Sequence, residues 1–66
     1  MQITVNGDTV DLPDDATLAD LLRQLSLGDA RVAVERNGDI VPRSQHHQQS
    51  LQAGDALEIV HAIGGG

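Results

Sequence analysis

Met1, Ile3 and Val5 alternate with Gln2 and Thr4, the period of a half-buried strand. Asn6-Gly7 follows, a strong signal for a two-residue hairpin turn, and residues 9–12 resume the alternation through Val10 and Leu12. The two runs predict an opening β-hairpin, broken off by Pro13-Asp14-Asp15. From Thr17 the period changes. Leu18, Leu21, Leu22 and Leu25 stand at i, i+3, i+4 and i+7, one apolar stripe of a helix. Thr17 is placed to accept the backbone N–H of Asp20, whose carboxylate then lies in the positively polarised first turn. The spacing predicts a helix over 17–25, with Gly28 supplying the left-handed residue that closes it.

Residues 32–35 (Val-Ala-Val-Glu) read as a third strand, apolar enough to be central or well covered. Asn37-Gly38 is a second hairpin signal, leading to a short strand at Ile40-Val41 that Pro42 ends. Residues 44–50 are polar and without period, with Leu51 the one apolar anchor beside them. Ala53-Gly54-Asp55 turns the chain into a last strand over 56–63. In that strand Leu57, Ile59, His61 and Ile63 face one way, and Glu58, Val60 and Ala62 the other. One helix on one face of a mixed sheet of four to five strands is an α+β arrangement, a β-grasp. It predicts a domain over 1–63 and a flexible glycine tail over 64–66, with the four leucines packed on Ile3, Val5, Val34 and part of the last strand.

Composition narrows what such a domain does. Sixty-six residues make one small domain. Without Cys there is no disulfide and no thiolate metal site. The apolar runs are far too short for a membrane span, and no signal-peptide pattern opens the chain, so the expectation is a soluble cytoplasmic protein without a membrane role. The four basic residues are all Arg (Arg23, Arg31, Arg36 and Arg43), against ten acids and a net charge of −6. That field repels phosphate backbones, and with no aromatic residue to stack bases, nucleic acid is not an expected partner. A basic protein surface would instead be steered in, faster at low salt.

The candidate chemistry lies at the terminal Gly64-Gly65-Gly66. At a usual glycine frequency of about 7%, three in the last three places arise by chance roughly three times in ten thousand. Lacking Cβ atoms, such a tail can thread a narrow channel and approach a nucleotide closely. Its carboxylate can then attack the α-phosphate of ATP, turning a poor acyl donor into an acyl-adenylate with AMP to expel. No nucleophile-plus-base arrangement is present, so another protein must perform the activation. His46 and His47, adjacent in a polar loop, read as solvated side chains with no metal-ligand spacing. His61 reads equally as a packed strand residue or as a contact for an enzyme gripping the tail. Asp14-Asp15 are turn residues, and Gly7, Gly38 and Gly54 are scattered turn glycines with no phosphate loop among them.

From end to end the chain resembles the ubiquitin-like sulfur carrier family of thiamine biosynthesis. The resemblance rests on Met1-Gln2-Ile3-Thr4-Val5-Asn6-Gly7, on Ala16-Thr17-Leu18-Ala19-Asp20-Leu21-Leu22, and on the run from Val32 through Val41-Pro42-Arg43-Ser44. Gly54-Asp55, Glu58-Ile59-Val60-His61 and Gly64-Gly65-Gly66 complete it. The diglycine end is shared with ubiquitin and the molybdopterin synthase small subunit; the Val-Pro-Arg turn, the Ile-Val-His strand and the length are specific to the thiamine carriers. Some members carry Trp where His46 stands. The resemblance implies a carrier that is not itself an enzyme and binds no cofactor. Its Gly66 is adenylated by an E1-like adenylating enzyme using ATP and magnesium. The acyl-adenylate becomes a thiocarboxylate with sulfur from a cysteine desulfurase or another donor, and thiazole synthase takes that sulfur. With no Cys in the chain, the sulfur must sit on the main-chain terminus and not on a side chain. The open sheet face, with His61 or its strand neighbours and Arg43 nearby, is the expected docking surface. The alternatives are a ubiquitin-like protein modifier, a molybdopterin-type sulfur carrier, and an interaction module whose glycines are incidental.

Overall fold

The computed structural model describes residues 1–61. Ala62 to Gly66 lie outside the described residues, and with them the expected boundary between a domain over 1–63 and a tail over 64–66. The elements are β1 (Gln2–Val5), β2 (Asp8–Asp11), α1 (Leu18–Gln24), β3 (Val32–Arg36), β4 (Asp39–Val41), a 3-10 helix (Arg43–Gln45) and β5 (Ala56–His61). The five strands form one sheet in the order β2-β1-β5-β3-β4. β5 is central, parallel to β1 through Thr4↔Ala56 and Val5↔Leu57, and antiparallel to β3 from Val32↔His61 to Arg36↔Leu57. This mixed sheet with one main helix is a β-grasp.

Both Asn-Gly pairs make the turns they signal. Asn6 and Gly7 have φ of 50° and 88°, and Asn37 and Gly38 of 52° and 90°, the double left-handed conformation of a type I′ hairpin. Each Asn also reaches beyond its own hairpin. The Asn6 amide donates to the Ile59 carbonyl at 3.0 Å and accepts the Ile59 N–H at 2.8 Å, as a strand peptide would. Asn37 accepts the Ala56 N–H at 2.9 Å. Both turns are therefore fastened to the central strand.

α1 opens on the expected capping box. The Asp20 N–H donates to Thr17 Oγ1 at 3.2 Å and the Thr17 N–H to Asp20 Oδ2 at 2.9 Å. That backbone N–H of Thr17 is the main reason the Asp20 carboxyl lies below its ordinary pKa. The helix closes differently from expectation. Ser26, not Gly28, occupies the left-handed region at φ 62°, and Gly28 has no positive φ. The Ser26 N–H donates to Arg23 O at 3.0 Å and the Leu27 N–H to Leu22 O at 2.7 Å, the bond pair of a Schellman motif, with Leu27 partly buried on the core. Two good carbonyl bonds and an apolar contact outweigh the modest cost of a left-handed serine.

The core lies between α1 and one sheet face: Ile3, Val5, Val34, Leu57 and Ile59 from the strands, Leu18, Leu21 and Leu22 from the helix. Leu25 is only partly buried, and Leu12, Ala16, Val41 and Leu51 close the edges. The aperiodic 44–50 segment owes its polarity to a backbone role. The Gln49 and His46 carbonyls accept the otherwise unpartnered N–H groups of Leu18 and Ala19 at 2.9 and 3.0 Å, so this loop caps the helix start. No described helix is long and apolar enough to cross a membrane.

Candidate functional site

β5 leads the chain toward the three glycines, and its two faces differ. On the helix side Leu57 and Ile59 are buried. On the other side Glu58 and Val60 are exposed, and no element covers them. The register sets Glu58 beside Glu35, Glu35 beside Ile40, and Val60 beside Ala33. Ile40 at 63% and Val60 at 59% exposure are the large exposed apolar residues of the described chain. They stand among carboxylates, so the open face combines an apolar contact with negative charge. It suits a partner surface that is apolar and basic. Sequence alternation alone assigned Val60 to this side; Ile40 was missed because a two-residue apolar pair carries no period.

His61 is exposed, which removes the reading of it as a packed residue. Its parity is that of Ile59, so it lies on the helix side of the sheet and not on the open face, a correction to the expected surface. Arg43 is likewise exposed but opens the 3-10 helix on the helix side. There it lines a groove of about 770 Å³ with Ala19, Leu22, Arg23, Asp29 and His47. Of the expected docking group, then, the strand neighbours of His61 occupy the open face and Arg43 does not. Gly64, Gly65 and Gly66 lie outside the described residues.

His46 overturns a second expectation. It is 7% exposed, not solvated, with Nε2 3.2 Å from the Val41 carbonyl. A neutral or charged ring with its proton on Nε2 donates to that oxygen, joining the loop to β4. Its neighbour His47 is exposed. Adjacent residues in a turn point apart, and among the described residues no three His, Cys, Asp or Glu gather to hold a metal.

The end of the sheet opposite His61 holds a buried polar cluster that residue types alone did not reveal. Asp55, 5% exposed, accepts from Arg36 Nε at 2.8 Å, Asn37 Nδ2 at 3.1 Å and the Gln52 N–H at 2.8 Å. Burial pushes its carboxyl up, but the bonds from Arg36, Gln52 and Asn37 and the guanidinium charge together prevail and hold it below its ordinary value. A Gly-Asp turn is so common that only the contact with Arg36, nineteen residues away, distinguishes this one. The cluster is a fastening of β3 to β5.

With the fold and these surfaces placed, comparison with known proteins becomes informative. Residues 2–66 match the ThiS family, so the match runs through the three terminal glycines. The chain is 38% identical over 65 residues to the sulfur carrier protein ThiS of Bacillus subtilis, covering 97% of this chain and 98% of that one. It is 42% identical over its whole length to a thiazole synthase of Paramagnetospirillum magneticum, but spans only 20% of that protein's length. A crystal structure of the thiamine biosynthesis protein ThiS from Geobacter metallireducens superposes with a TM-score of 0.84 at 32% identity, covering all of both chains. SAMP1 from Haloferax volcanii shares the fold, with a TM-score of 0.62 at 22% identity over 98% of this chain and 97% of that one. By sequence over nearly its full length and by fold, the chain belongs to the ThiS family.

Proposed function

We propose that this chain is a sulfur carrier of thiamine biosynthesis that works through its C-terminal carboxylate. The observation that carries the reading is the family match extending through Gly66. A Gly66 carboxylate oxygen attacks the α-phosphorus of ATP on an E1-like adenylating enzyme, with magnesium, and pyrophosphate leaves. The outer sulfur of a persulfide formed by a cysteine desulfurase then attacks the acyl carbon and AMP leaves. A thiol of a partner enzyme attacks the inner sulfur of the acyl disulfide, forming a disulfide and releasing the sulfur on Gly66, whereas a sulfide donor reaches the same product directly. The product is a thiocarboxylate that thiazole synthase consumes. Gly64 and Gly65 present no Cβ to a narrow channel. The likeness of this chain to about one fifth of two thiazole synthases supports that enzyme as a partner. On this reading the Ile40–Val60 face, with Glu35 and Glu58, is where the partner enzymes seat the carrier. The chain has no Cys, so the transferable sulfur resides on the terminus.

The test is intact-protein mass spectrometry after incubation with the adenylating enzyme, ATP, magnesium and a sulfur donor. The expected product has one oxygen replaced by sulfur at Gly66. Extending the chain by one residue moves the carboxylate about 3.3–3.6 Å, well beyond the roughly 1 Å misplacement that already costs about a hundredfold in rate. The extended chain should therefore not convert. Full conversion at its new terminus would refute the mechanism, and amide conjugates to other proteins in place of thiocarboxylate would favour a modifier.

A further inference from the structure

Each hairpin turn sets a side-chain carboxamide next to a backbone nitrogen that nothing obstructs. In an Asn-Gly pair the glycine nitrogen can close on the asparagine Cγ, because glycine brings no side chain into the approach. Asn6, Gly7, Asn37 and Gly38 are all exposed, and a Cβ at either glycine would meet no atom within 4 Å. Among the described residues the Gly7 and Gly38 N–H groups donate no hydrogen bond to the backbone. The nucleophile is therefore free in both turns. The asparagine side chain is not. Asn6 makes both of its bonds to Ile59, at 3.0 and 2.8 Å. Asn37 accepts the Ala56 N–H at 2.9 Å and donates to Asp55 Oδ1 at 3.1 Å.

We propose that Asn6 and Asn37 are sites of spontaneous deamidation, held unreacted for as long as their carboxamides stay fastened to β5 and to Asp55 before it. Attack makes Cγ tetrahedral and tilts Oδ1 and Nδ2 out of the plane in which those bonds are made. Cyclisation and fastening therefore exclude one another, and the reaction waits on local opening of the turn. The glycine nitrogen then bonds to Cγ and gives up its proton to solvent. The Cγ–Nδ2 bond breaks, and ammonia leaves with a proton taken from water, giving a succinimide. Water adds to one of the two ring carbonyls and opens it to aspartate or isoaspartate. The sum is hydrolysis of the side-chain amide, with no oxidant or reductant.

The two sites are not equal. Asn6 is held by two main-chain groups of one residue inside β5. Asn37 hangs on one main-chain N–H and on a carboxylate shared with Arg36 and the Gln52 N–H, so the Asp55 cluster governs Asn37 and not Asn6. Neither product refastens. An aspartate at position 6 has no N–H for the Ile59 carbonyl and sets oxygen against oxygen. At position 37 it sets a second carboxylate against buried Asp55, with Arg36 the one guanidinium bonded there. Isoaspartate lengthens the main chain by one carbon, which a two-residue turn does not accommodate. Each conversion thus leaves the turn looser than before.

The test follows each turn by peptide mapping, which reads the exchange of NH2 for OH, in protein kept folded at mildly alkaline pH and in the same buffer with urea. Both sites should convert at least about tenfold more slowly in the folded protein, the cost of breaking two hydrogen bonds. Asp55→Ala, held below its own unfolding transition, should speed conversion at Asn37 by about threefold or more and leave Asn6 at the wild-type rate. Asn6→Asp and Asn37→Asp, the products made directly, should each melt below the wild type. The proposal is overturned if folded and urea-unfolded protein convert alike, if neither site converts in urea, or if both product variants melt as the wild type does. It is also overturned if Asp55→Ala speeds both turns equally, because global unfolding would then be the route. The wild-type comparison stands whether or not Asp55→Ala folds.

Discussion

The two faces of β5 share one strand and one period, and each carries a large aliphatic residue near the strand's end, yet they have opposite fates. Leu57 and Ile59 are 1% and 7% exposed beneath α1, whereas Val60, between Ile59 and His61, is 59% exposed. Ile40 across the sheet is 63% exposed. The covered face concentrates aliphatic contact and with it most of the stability, as expected of a chain with no aromatic residue or disulfide to share the burden. The open face spends apolar surface on solvent, which a small domain does at a loss unless another protein covers it. On the proposed docking, stability and recognition are separated by the thickness of a sheet, and each can be perturbed alone.

The largest effect should come from the covered face. Leu21 is fully buried between helix and sheet, and Leu21→Ala should cost about 2–5 kcal/mol, a large share of a small domain's total. Chemical denaturation measures it. An unchanged midpoint would mean that α1 does not hold the core together.

How much of this division is legible in the sequence depends on what kind of signal each residue leaves. The leucine stripe and both Asn-Gly turns impose periods and backbone conformations that few other folds satisfy, and they placed the helix and the hairpins within a residue or so. The loop over 44–50 left no such mark, because it caps the helix through carbonyl groups that every residue owns. His46 looked solvated for a related reason: its burial, with the ring against the Val41 carbonyl and its own carbonyl bonded to Ala19, is a tertiary fact. Ser26 displaced Gly28 because a Schellman bond pair and Leu27 packing decide where a helix stops when no glycine stands at the closing position. Of the candidate site, the glycine end was conspicuous in composition. Strand alternation already set His61 on the side of Ile59, whereas the separation of Arg43 from the open face required the fold, which carries the 3-10 helix to the helix side.

The polar fastening at the far end of the sheet should come next in magnitude. Asp55→Asn keeps the shape but weakens the bonds from Arg36, Asn37 and the Gln52 N–H, and leaves a half-buried guanidinium without its counter-charge. A loss of about 2–3 kcal/mol is expected. The pH dependence is diagnostic. Asp55 has its folded pKa lowered from 3.8, so its contribution is fully present above that ordinary value and is lost as pH falls through the depressed one. Stability plotted against pH should therefore fall less steeply below about pH 4 in Asp55→Asn than in the wild type. Identical acid limbs would show that the carboxylate is not linked to folding.

Asn6 separates turn conformation from fastening. Asn6→Gly satisfies the positive φ but removes both bonds to Ile59, whereas Asn6→Ala loses the bonds and is strained as well. The glycine variant should lose about 1 kcal/mol and the alanine variant about 2 kcal/mol or more. Equal losses in thermal unfolding would assign the whole effect to the bonds.

The smallest change in stability should come from the open face, where the proposed docking puts the largest effect on recognition. Val60→Ser and Ile40→Ser alter residues that already sit mostly in water, so each should stay within about 0.5 kcal/mol of wild type. Their removal nevertheless takes the apolar centre out of a surface otherwise framed by Glu35 and Glu58. If partner enzymes dock there, the double variant should keep the wild-type melting temperature and bind the adenylating enzyme or thiazole synthase at least tenfold more weakly, about 1.4 kcal/mol. The carboxylates contribute differently. Replacing Glu35 and Glu58 with Gln should chiefly slow association and flatten its dependence on salt, because exposed charges steer encounters more than they hold complexes. A double Ser variant that binds both enzymes as tightly as the wild type would make this face a solvent face after all, and the docking surface would have to be sought on the groove side, beside Arg43.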